Sequence, residues 1–540
     1  MLGARVGRVG FVRPRLAHVQ AIRAPWPLAA AGLAIAALAL LPIAYLLIRA
    51  AGAETPIADL VLRPRTLSVA ASTVGLGLIV SAGTILLGVP LAWLTARTDL
   101  PGRRLWAVLV VVPLAIPSYV TGFAFLGFLG PHGVLAALLT PFGVERVPSM
   151  SGLPAAALVL TLASYPYVVL ATRSALLRAD PSVEEAGRLL GDGRLRVFRR
   201  VTLPLLAPAV LAGALLATLY ALADFGAVSL LGFDSLSRAI HTAYRASFDR
   251  SLAAVLALIL VGLSLAVVAG EGIVRRRADA YVGRAPRRPP PVVALGRWRR
   301  PAVAFCVAVV GLALVVPAGT IAWWLVRGLG QGEPLRLVAA PALASLGTGV
   351  AAALVAVALA LPIGLLAARH PSRVAWLTER STYAAYALPG IVVALAVVFL
   401  ANNVVPALYQ TLLLLVLAYA IRFLPQASGV VRASLVALGP RLEEAGRTLG
   451  DGPIVVVRRL TLPLLRPALV AGAALVFLTT VKELPMALIL GPIGFETLAT
   501  EIWDAASGGF YARAAAPAAL LMILSAATVA VLLRAEERTR

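Results

Sequence analysis

Long apolar stretches recur along the whole chain, and each is ended by charged residues or by clusters of glycine and proline. A helix of about 20 apolar residues is long enough to cross a bilayer. Twelve stretches meet this condition, near 27–49, 67–96, 105–128, 152–177, 206–231, 252–274, 301–327, 340–368, 382–401, 408–433, 465–491 and 512–533. The pattern predicts an all-α polytopic membrane protein with about twelve transmembrane helices.

The positive residues between these stretches predict how the chain is oriented. The sequence has 48 Lys and Arg against 24 Asp and Glu, which gives a formal net charge of +24. Arginines precede the first stretch and follow every even-numbered one, and positive loops of membrane proteins remain in the cytosol. We therefore expect cytosolic N- and C-termini, a lipid bilayer around the chain and no nucleic-acid partner.

The second half of the chain repeats the first. Glu184 to Pro208 reads EEAGRLLGDGRLRVFRRVTLPLLAP, and Glu443 to Pro467 reads EEAGRTLGDGPIVVVRRLTLPLLRP, at a spacing of 259. Further matches at a spacing of 272 pair Pro90, Arg97 and Pro117 with Pro362, Arg369 and Pro389. Both halves hold six stretches, so we expect two parallel six-helix repeats with a translocation path between them.

These repeats predict two transmembrane domains, residues 1–274 and 301–540. The intervening residues 275–300 read RRRADAYVGRAPRRPPPVVALGRWRR, a basic block with three consecutive prolines. A segment of this composition does not form a packed core. We expect a semi-rigid cytosolic tether, which is either an ordinary solvated loop or the binding site of a partner.

The composition excludes several kinds of chemistry. Cys306 is the only cysteine, so the chain has neither an internal disulfide nor a cysteine metal cluster. Lys482 is the only lysine and Glu483 follows it, so no GxxxxGK[ST] phosphate loop exists. The histidines are scattered in the N-terminal segment and in loops, at His18, His132, His241 and His370. We expect no catalytic residues, no cofactor and no bound metal, and any ATP must be bound by another chain.

Each duplicated loop carries the signals of a short surface helix. In the first loop, Asp180 is a suitable N-cap, Pro181 suits the first helical position, and two glutamates follow in the early turns. Gly191-Asp192-Gly193 can end the helix, because glycine adopts a positive φ without strain. The second loop repeats this pattern with a weaker cap at Gly439-Pro440. The predicted helix has about ten residues and is roughly 15 Å long, which suits transmission of force from a soluble partner.

The residues of these loops resemble the EAA loops of bacterial ABC-importer permeases of type I. Both loops match the family spacing E-A-A/G, three residues, Gly, nine residues, an aliphatic residue, one residue, Leu-Pro. In that family the short helix couples to a groove on a cytosolic ATPase. The resemblance implies coupling roles for Glu184, Glu185, Ala186, Gly187, Gly191 and Pro204, and for Glu443, Glu444, Ala445, Gly446, Gly450 and Pro463. The alternative is a pair of amphipathic loops that serve only folding.

Two further segments resemble fused two-domain ferric-iron transport permeases. They are ADFGAVSLLGFDSL, from Ala223 to Leu236, and KELPMALILGPIGFETLAT, from Lys482 to Thr500. The resemblance covers nearly the whole chain and implies a bacterial inner-membrane transport subunit for ferric iron. It also implies two cytosolic ABC ATPase subunits and an extracytoplasmic solute-binding protein as partners.

Two alternatives share this architecture. Fused permeases for thiamine have the same arrangement, and an ion-coupled secondary transporter can also have twelve spans in two parallel halves. A secondary transporter would need no loops that dock an ATPase, so the duplicated EAA loops argue against it. Thiamine remains open as the substrate.

Three ionisable residues within the apolar stretches are candidates for the translocation path. Asp224 and Glu483 are repeat equivalents, each roughly 24–29 Å along its helix from the cytosolic end. An ionised group at this depth is costly unless it faces a partner or a wet path. We expect both carboxylates to line the outer path, unless neighbours or a helix end satisfy them. Arg422, whose repeat counterpart is Ala163, is either a third path residue, a side chain that snorkels to the membrane surface, or the partner of a carboxylate.

A second repeated pair is predicted on the outer face. Gly232-Phe233-Asp234 in the first half corresponds to Gly494-Phe495-Glu496 in the second, and charges of both signs lie nearby. Paired loops of mixed charge would suit docking of a two-lobed binding protein. As sequence alone they are equally consistent with ordinary solvated loops.

Overall fold

The computed structural model describes residues 24–52, 56–131, 133–143, 147, 150–247, 249–281, 291–333 and 338–537. The basic N-terminal segment with His18, and also His132, lie outside these ranges. Within them the chain is helical, and its one β-type contact is an isolated bridge between Thr98 and Val293.

Helices follow one another along both halves with short connections. The first half contains α1 (Trp26–Ala51), α2 (Ile57–Val61), α3 (Pro64–Arg97), α4 (Arg103–Leu109), α5 (Ser118–Leu129), α6 (Val134–Leu139), α7 (Gly152–Arg178), α8 (Pro181–Leu189), α9 (Arg194–Val197), α10 (Leu203–Ala223), α11 (Gly226–Leu230), α12 (Leu236–Arg245) and α13 (Arg250–Tyr281). The second contains α14 (Arg299–Val310), α15 (Val316–Gly330), α16 (Ala339–Arg369), α17 (Arg373–Ala387), α18 (Gly390–Val404), α19 (Leu412–Leu438), α20 (Arg441–Thr448), α21 (Pro453–Val456), α22 (Leu462–Val481), α23 (Pro485–Leu490), α24 (Leu498–Ser507) and α25 (Tyr511–Glu537). Short π-helical segments occupy Phe198–Thr202, Gly311–Val315 and Val457–Thr461, and 3₁₀ turns occupy Val112–Ala115, Thr140–Phe142, Gly296–Trp298 and Pro406–Leu408.

The number of membrane spans agrees with the apolar pattern. Within the described ranges, eleven helical segments are long and apolar enough to cross a membrane. A twelfth is obtained if α17 and α18, which meet at an angle of 108°, form one broken span. The prediction of an all-α polytopic membrane protein is confirmed.

The stretches 206–231 and 465–491 are not the continuous helices that the hydropathy predicts. In the first half, α10 ends at Ala223 and α11 begins at Gly226; in the second, α22 ends at Val481 and α23 begins at Pro485. Asp224 and Glu483 therefore lie in helix breaks and not along a helix. Pro485 is a signal for the second break because proline lacks the N–H that continues a helix, whereas no proline marks the first.

The first span of each half packs against the other half. Buried residues of α1, such as Ile35 and Leu46, share a core with the second-half helices, whereas Cys306 and Val309 of α14 share a core with the first half. Gly32 shows how close α1 comes, since an added Cβ there would lie 2.8 Å from Leu366 Cδ2. Small residues permit this kind of approach between membrane helices. Because each half packs its first span against the other half, the two repeats form one unit.

Both ends of the predicted tether, residues 275–300, have ordered structure. Helix α13 continues to Tyr281, because the basic segment after residue 274 contains no helix-breaking residue until Gly283. From Pro291 onwards the chain is again described, and Val293 bonds to the end of α3. The stretch that remains, residues 282–290, lies outside the described ranges. Both ends of the segment 275–300 are therefore ordered, and its role as a tether between two domains stays a prediction.

Candidate functional site

The first duplicated loop folds as its capping signals predict. The Asp180 carboxylate accepts a hydrogen bond of 2.9 Å from Ser182 N, and Pro181 occupies the first turn of α8. This bond holds the pKa of Asp180 below its usual range. Gly191, at φ +86°, follows the nine-residue helix and Gly450, at φ +92°, follows α20. The cap of α20 at Pro440 makes no side-chain hydrogen bond, in agreement with the weaker signal.

Each loop helix is held to the body of its own half by a buried glutamate. Glu184 pairs with Arg97 at the end of α3 and also accepts a 3.1 Å bond from Thr202 Oγ1. Glu443 pairs with Arg369 at the end of α16, where Arg369 Nη2 lies 3.0 Å from Glu443 Oε1. The repeat offers a signal for these two ion pairs. Arg97 matches Arg369 and Glu184 matches Glu443, so each arginine has an equivalent glutamate as its partner.

The next residues of the motif point away from the body. Glu185, Ala186, Glu444 and Ala445 are exposed, whereas Glu184 is mostly buried and Glu443 is buried. Gly446 is buried, and an added Cβ there would lie 2.8 Å from Leu460 Cδ1. The motif therefore has an inward surface that anchors the helix and an outward surface that is free in this chain.

The remaining motif residues position the loop against the following span. An added Cβ at Gly187 would lie 3.3 Å from Val197 Cγ2, so the glycine allows α8 to lie close to α9. Pro204 and Pro463 occupy the first turns of α10 and α22, directly after π-helical segments. The π-helical segments run directly into these helices, since Leu203 N and Leu462 N donate to Phe198 O and Val457 O, five residues back. A wider turn of this kind accommodates a proline, which has no N–H to donate.

Asp224 is satisfied within the first half. Its Oδ1 accepts bonds from the N–H groups of Ala227, at 3.0 Å, and Val228, at 3.2 Å, and its Oδ2 accepts a bond from Ser118 Oγ. Asp224 thus caps α11 and ties it to the N-terminus of α5. The sequence left open whether Asp224 lines a path or is hydrogen-bonded by a helix end. In the structure its carboxylate is hydrogen-bonded by the N-terminal end of α11.

Glu483 is arranged differently, although it occupies the equivalent break. Its Oε2 lies 2.6 Å from Arg422 Nη1, and within the described part of the chain its buried Oε1 has no hydrogen-bond partner. Arg422 also stacks over the Phe423 ring, with its guanidinium carbon 5.1 Å from the centroid. The residue equivalent to Ser118 is Gly390, where an added Cβ would overlap Glu483 Oε1 and lie 2.6 Å from Arg422 Nη1. The glycine provides the space that the ion pair fills.

The two breaks meet where the halves contact one another. Lys482 Nζ donates a 3.2 Å bond to the Leu114 carbonyl of the other half. An added Cβ at Gly226 would lie 2.6 Å from Tyr119 Cβ and 2.9 Å from Leu484 Cδ2, so segments of both halves converge there. The structure brings Arg422 and Glu483 together and places Asp224 in a separate, internally satisfied network.

An aromatic cluster joins the halves on the side opposite the loop helices. His241 and Trp503 are repeat equivalents at the middle of α12 and α24, and their ring centroids lie 6.1 Å apart. The Phe225 ring packs against both, with centroid distances of 4.9 Å and 5.9 Å. His241 thus lies on a helix and not in a loop as the sequence suggested, because Ser235 caps α12 and its apolar face is buried. Burial, and secondarily the nearby Arg245, lower the pKa of His241 to about 4.

A pH dependence follows from this depressed pKa. Free histidine has a pKa of about 6.5, so between pH 6.5 and 4 the unfolded chain binds a proton that the folded chain does not. The free energy of unfolding is expected to fall as the pH falls through this window. His241→Phe should reduce that dependence, and thermal unfolding at several pH values measures it. Asp504 and Arg245 lie nearby and are present in both proteins, so an identical pH dependence in the variant would contradict the assignment.

No group of three or more His, Cys, Asp or Glu side chains in the described ranges could hold a metal ion.

Two parallel membrane repeats, each with an anchored loop helix at the same position, define a duplicated membrane transport component. Residues 84–279 and 360–540 both match the family described as binding-protein-dependent transport system inner membrane component. The chain belongs to this family, and the expected relationship to ABC-importer permeases is confirmed. It is accordingly a multi-pass membrane protein and a transport subunit.

Similar proteins match either most of the chain or about a third of it. The Fe(3+)-transport system permease protein FbpB 2 of Haemophilus influenzae is 32% identical over 490 residues, 90% of this chain and 93% of that protein. The molybdenum transport system permease protein ModB of Escherichia coli is 35% identical over 33% of this chain and 80% of its own length. The sulfate transport system permease protein CysW of the same species is 32% identical over 38% of this chain and 70% of its own length.

Proposed function

We propose that this chain is the membrane permease of an ATP-driven importer for ferric iron, with both permease domains in one chain. The observation that carries the proposal is the similarity to an Fe(3+) permease across both halves, at 90% and 93% coverage. The relatives named for molybdenum and sulfate match only about a third of the chain. The two permease domains are residues 1–274 and 301–540, joined by residues 275–300, with both termini in the cytosol.

The loop helices α8 and α20 are proposed to dock two separate cytosolic ATPase subunits, one for each half. Glu184 and Glu443 anchor the helices inwardly through Arg97 and Arg369. Outwardly, the exposed glutamates are accompanied by large apolar side chains that are more than four-fifths exposed, namely Leu189, Leu190, Leu449 and Ile454. Apolar groups at the centre of a charged surface are typical of a protein interface.

The outward glutamates of the motif should govern ATPase binding without governing the fold. The double variant Glu185→Gln, Glu444→Gln is expected to weaken ATPase affinity by about ten-fold or more, the loss typical of interface hot spots. Binding of the purified ATPase to the permease in nanodiscs measures this. Asp59→Asn, an exposed carboxylate on the opposite side, is the control. Unchanged affinity in the double variant would remove these two residues from the docking surface.

The path is proposed to run between the halves, past the two helix breaks. Glu483 offers one buried carboxylate oxygen without a partner among the described residues, and Arg422 positions its other oxygen. Oxygen ligands of this hard type suit a small, highly charged cation. We assign Asp224 a gating role through α11 and α5, because both of its oxygens are engaged.

A two-lobed binding protein is proposed to dock on the opposite side. In the first half, Arg65 and Arg238 flank Asp234 at 2.9 Å and 3.4 Å beside a cavity of about 310 Å³. In the second, Glu496 and Asp504 have their pKa values raised by burial and by the Glu501 carboxylate. The first half is thus basic there and the second acidic, so the two lobes should present opposite charges.

Reconstitution tests the proposal directly. Proteoliposomes containing the chain, its candidate ATPase and its binding protein should accumulate ferric iron when ATP is supplied on the ATPase side. An ATPase inactivated in its phosphate loop is the control, and thiamine, molybdate and sulfate are the competing substrates. Uptake that persists with the inactive ATPase would establish a secondary transporter, and uptake of another substrate would overturn the assignment of iron.

A further inference from the structure

The end of the interdomain segment is bonded to the first half. Val293 N donates a 2.7 Å hydrogen bond to Arg97 O, and Asp99 N donates a 3.2 Å bond to Val293 O. Leu295 N donates a 2.8 Å bond to Asp99 Oδ1. We call residues 293–295 the linker anchor. They form a short extended pairing with the end of α3, and the described part of the chain has no other such pairing.

Apolar burial reinforces these bonds. Leu295 is only 8% exposed and belongs to the same buried cluster as Leu94 and Leu100, on either side of the paired backbone. Burying a leucine side chain contributes about as much as two net hydrogen bonds. The anchor is therefore a packed element, although it lies within a basic, proline-rich segment.

The anchor bonds to the residue that holds the first loop helix. Arg97 accepts from Val293 through its backbone carbonyl, while its side chain pairs with Glu184 of α8. Any displacement of the anchor changes the backbone from which the Arg97 side chain extends. The position of α8 thus depends on the segment that joins the two halves.

The second half positions its arginine without such a segment. Arg369 Nη1 donates a 3.0 Å bond to Leu435 O, and Nη2 donates a 2.9 Å bond to Gly439 O, in addition to the pair with Glu443. For Arg97, Nη1 has no partner among the described residues. The position equivalent to Asp99 is Pro371, which has no side-chain acceptor. The two loop helices are therefore anchored by different means.

We propose that the linker anchor, together with Asp99, positions the first loop helix and keeps it coupled to the membrane domain. Val293, Leu295 and Asp99 are positioning residues, since they act through Arg97 and Glu184. The inference rests on the proposed coupling role of α8. It makes fusion of the two halves a functional feature of the first coupling site.

A proline substitution tests the backbone bond. Val293→Pro removes the N–H that Arg97 O accepts, and it is expected to lower iron imported per ATP hydrolysed by about two- to ten-fold, the effect of one hydrogen bond on a local equilibrium. Val292→Pro is the matched control, because Val292 is exposed and its N–H takes part in none of these bonds. Hydrogen exchange of α8 should rise in the first variant and not in the second.

A pair of substitutions at Asp99 tests the side-chain bond independently of proline. Asp99→Ala removes the acceptor of Leu295 N and should uncouple hydrolysis from import, whereas Asp99→Asn keeps an acceptor oxygen and should remain coupled. ATPase binding to the permease is measured alongside. Assembly is expected to persist in all variants, because α20 and the outward residues of α8 are untouched.

The outcomes separate this inference from the coupling proposal itself. Equal transport per ATP in Val293→Pro and Val292→Pro, or full coupling in Asp99→Ala, would overturn the role of the anchor. Faster exchange in α8 with unchanged coupling would reduce the anchor to a structural contact and would also overturn it. If α8 and α20 do not bind an ATPase at all, Glu185→Gln, Glu444→Gln leaves ATPase binding intact, which is a different observation.

Discussion

Arg369→Met should abolish coupled import while leaving the membrane helices folded. The substitution removes every donor that Arg369 provides to Glu443 and to the carbonyls of Leu435 and Gly439. Breaking a buried ion pair by removing one partner typically costs about 3–5 kcal/mol, because the other charge remains buried. If the whole cost falls on α20, the fraction of molecules in which α20 is held against its half decreases by about a hundred-fold or more.

The double variant Arg369→Met, Glu443→Met is the matched control. Replacement of a whole buried pair by apolar side chains of similar size is often neutral, so this variant should recover much of the coupling. Import and ATP hydrolysis are measured together in proteoliposomes, with circular dichroism as the check on folding. Normal coupling in Arg369→Met would show that the pair does not hold α20.

The equivalent change in the first half should have a smaller effect. The Arg97 side chain makes fewer bonds than that of Arg369, which also donates to two backbone carbonyls. Arg97→Met is therefore expected to reduce coupling without abolishing it. A larger loss than in Arg369→Met would reverse the order of dependence that the contacts predict.

The spans and the loops could be predicted from the sequence because they depend on local signals. Twenty-residue apolar stretches, an aspartate before a proline, and a glycine pair after a short helix each have one usual structural outcome. The division into two equivalent halves could be predicted from the duplication, since each signal occurs twice at a fixed spacing. It also predicted that α8 and α20 lie on the same side of the membrane.

The partners of buried charges could not be predicted in the same way. The family resemblance implied one coupling role for both glutamates of each loop, whereas the structure separates them, because Glu184 and Glu443 are the anchored residues. Adjacent helical positions differ by about 100° in direction, so only the packing decides which one faces inward. The bonds of the linker anchor join segments that are far apart in the sequence, so no local sequence pattern predicts them.

The break at Asp224 illustrates a third limit. Its stretch is as apolar as a continuous span, and the break is stabilised by Ser118 from a different helix. Comparison of the repeats offers the missing signal, because Ser118, Ala163 and Asp224 are replaced together by Gly390, Arg422 and Glu483. These three differences indicate that the break is stabilised by a serine–aspartate hydrogen bond in the first half and by an arginine–glutamate ion pair in the second.

Gly390→Ser should be the most damaging single substitution at this place. The new side chain would overlap Glu483 and crowd Arg422, which forces apart a buried ion pair. Overpacking alone costs about 1–3 kcal/mol, and separation of the pair adds the cost of unpaired buried charge. We expect loss of folded protein in detergent and loss of import. Gly347→Ser is the control, because an added Cβ at Gly347 meets no atom within 4 Å.

The triple variant Gly390→Ser, Arg422→Ala, Glu483→Asp should recover the fold, because it gives the second half the residues of the first. The introduced aspartate could then accept from the introduced serine and from the N–H groups of Met486 and Ala487, which lie in the first turn of α23 and have no intrahelical acceptor. Thermal stability near that of the natural chain is the expected result, and a triple variant no more stable than Gly390→Ser would contradict the equivalence of the two sites. Import then decides what the ion pair does. Recovered stability with lost iron uptake supports a path role for Arg422 and Glu483, whereas recovery of both restricts the pair to holding α18 against the break before α23.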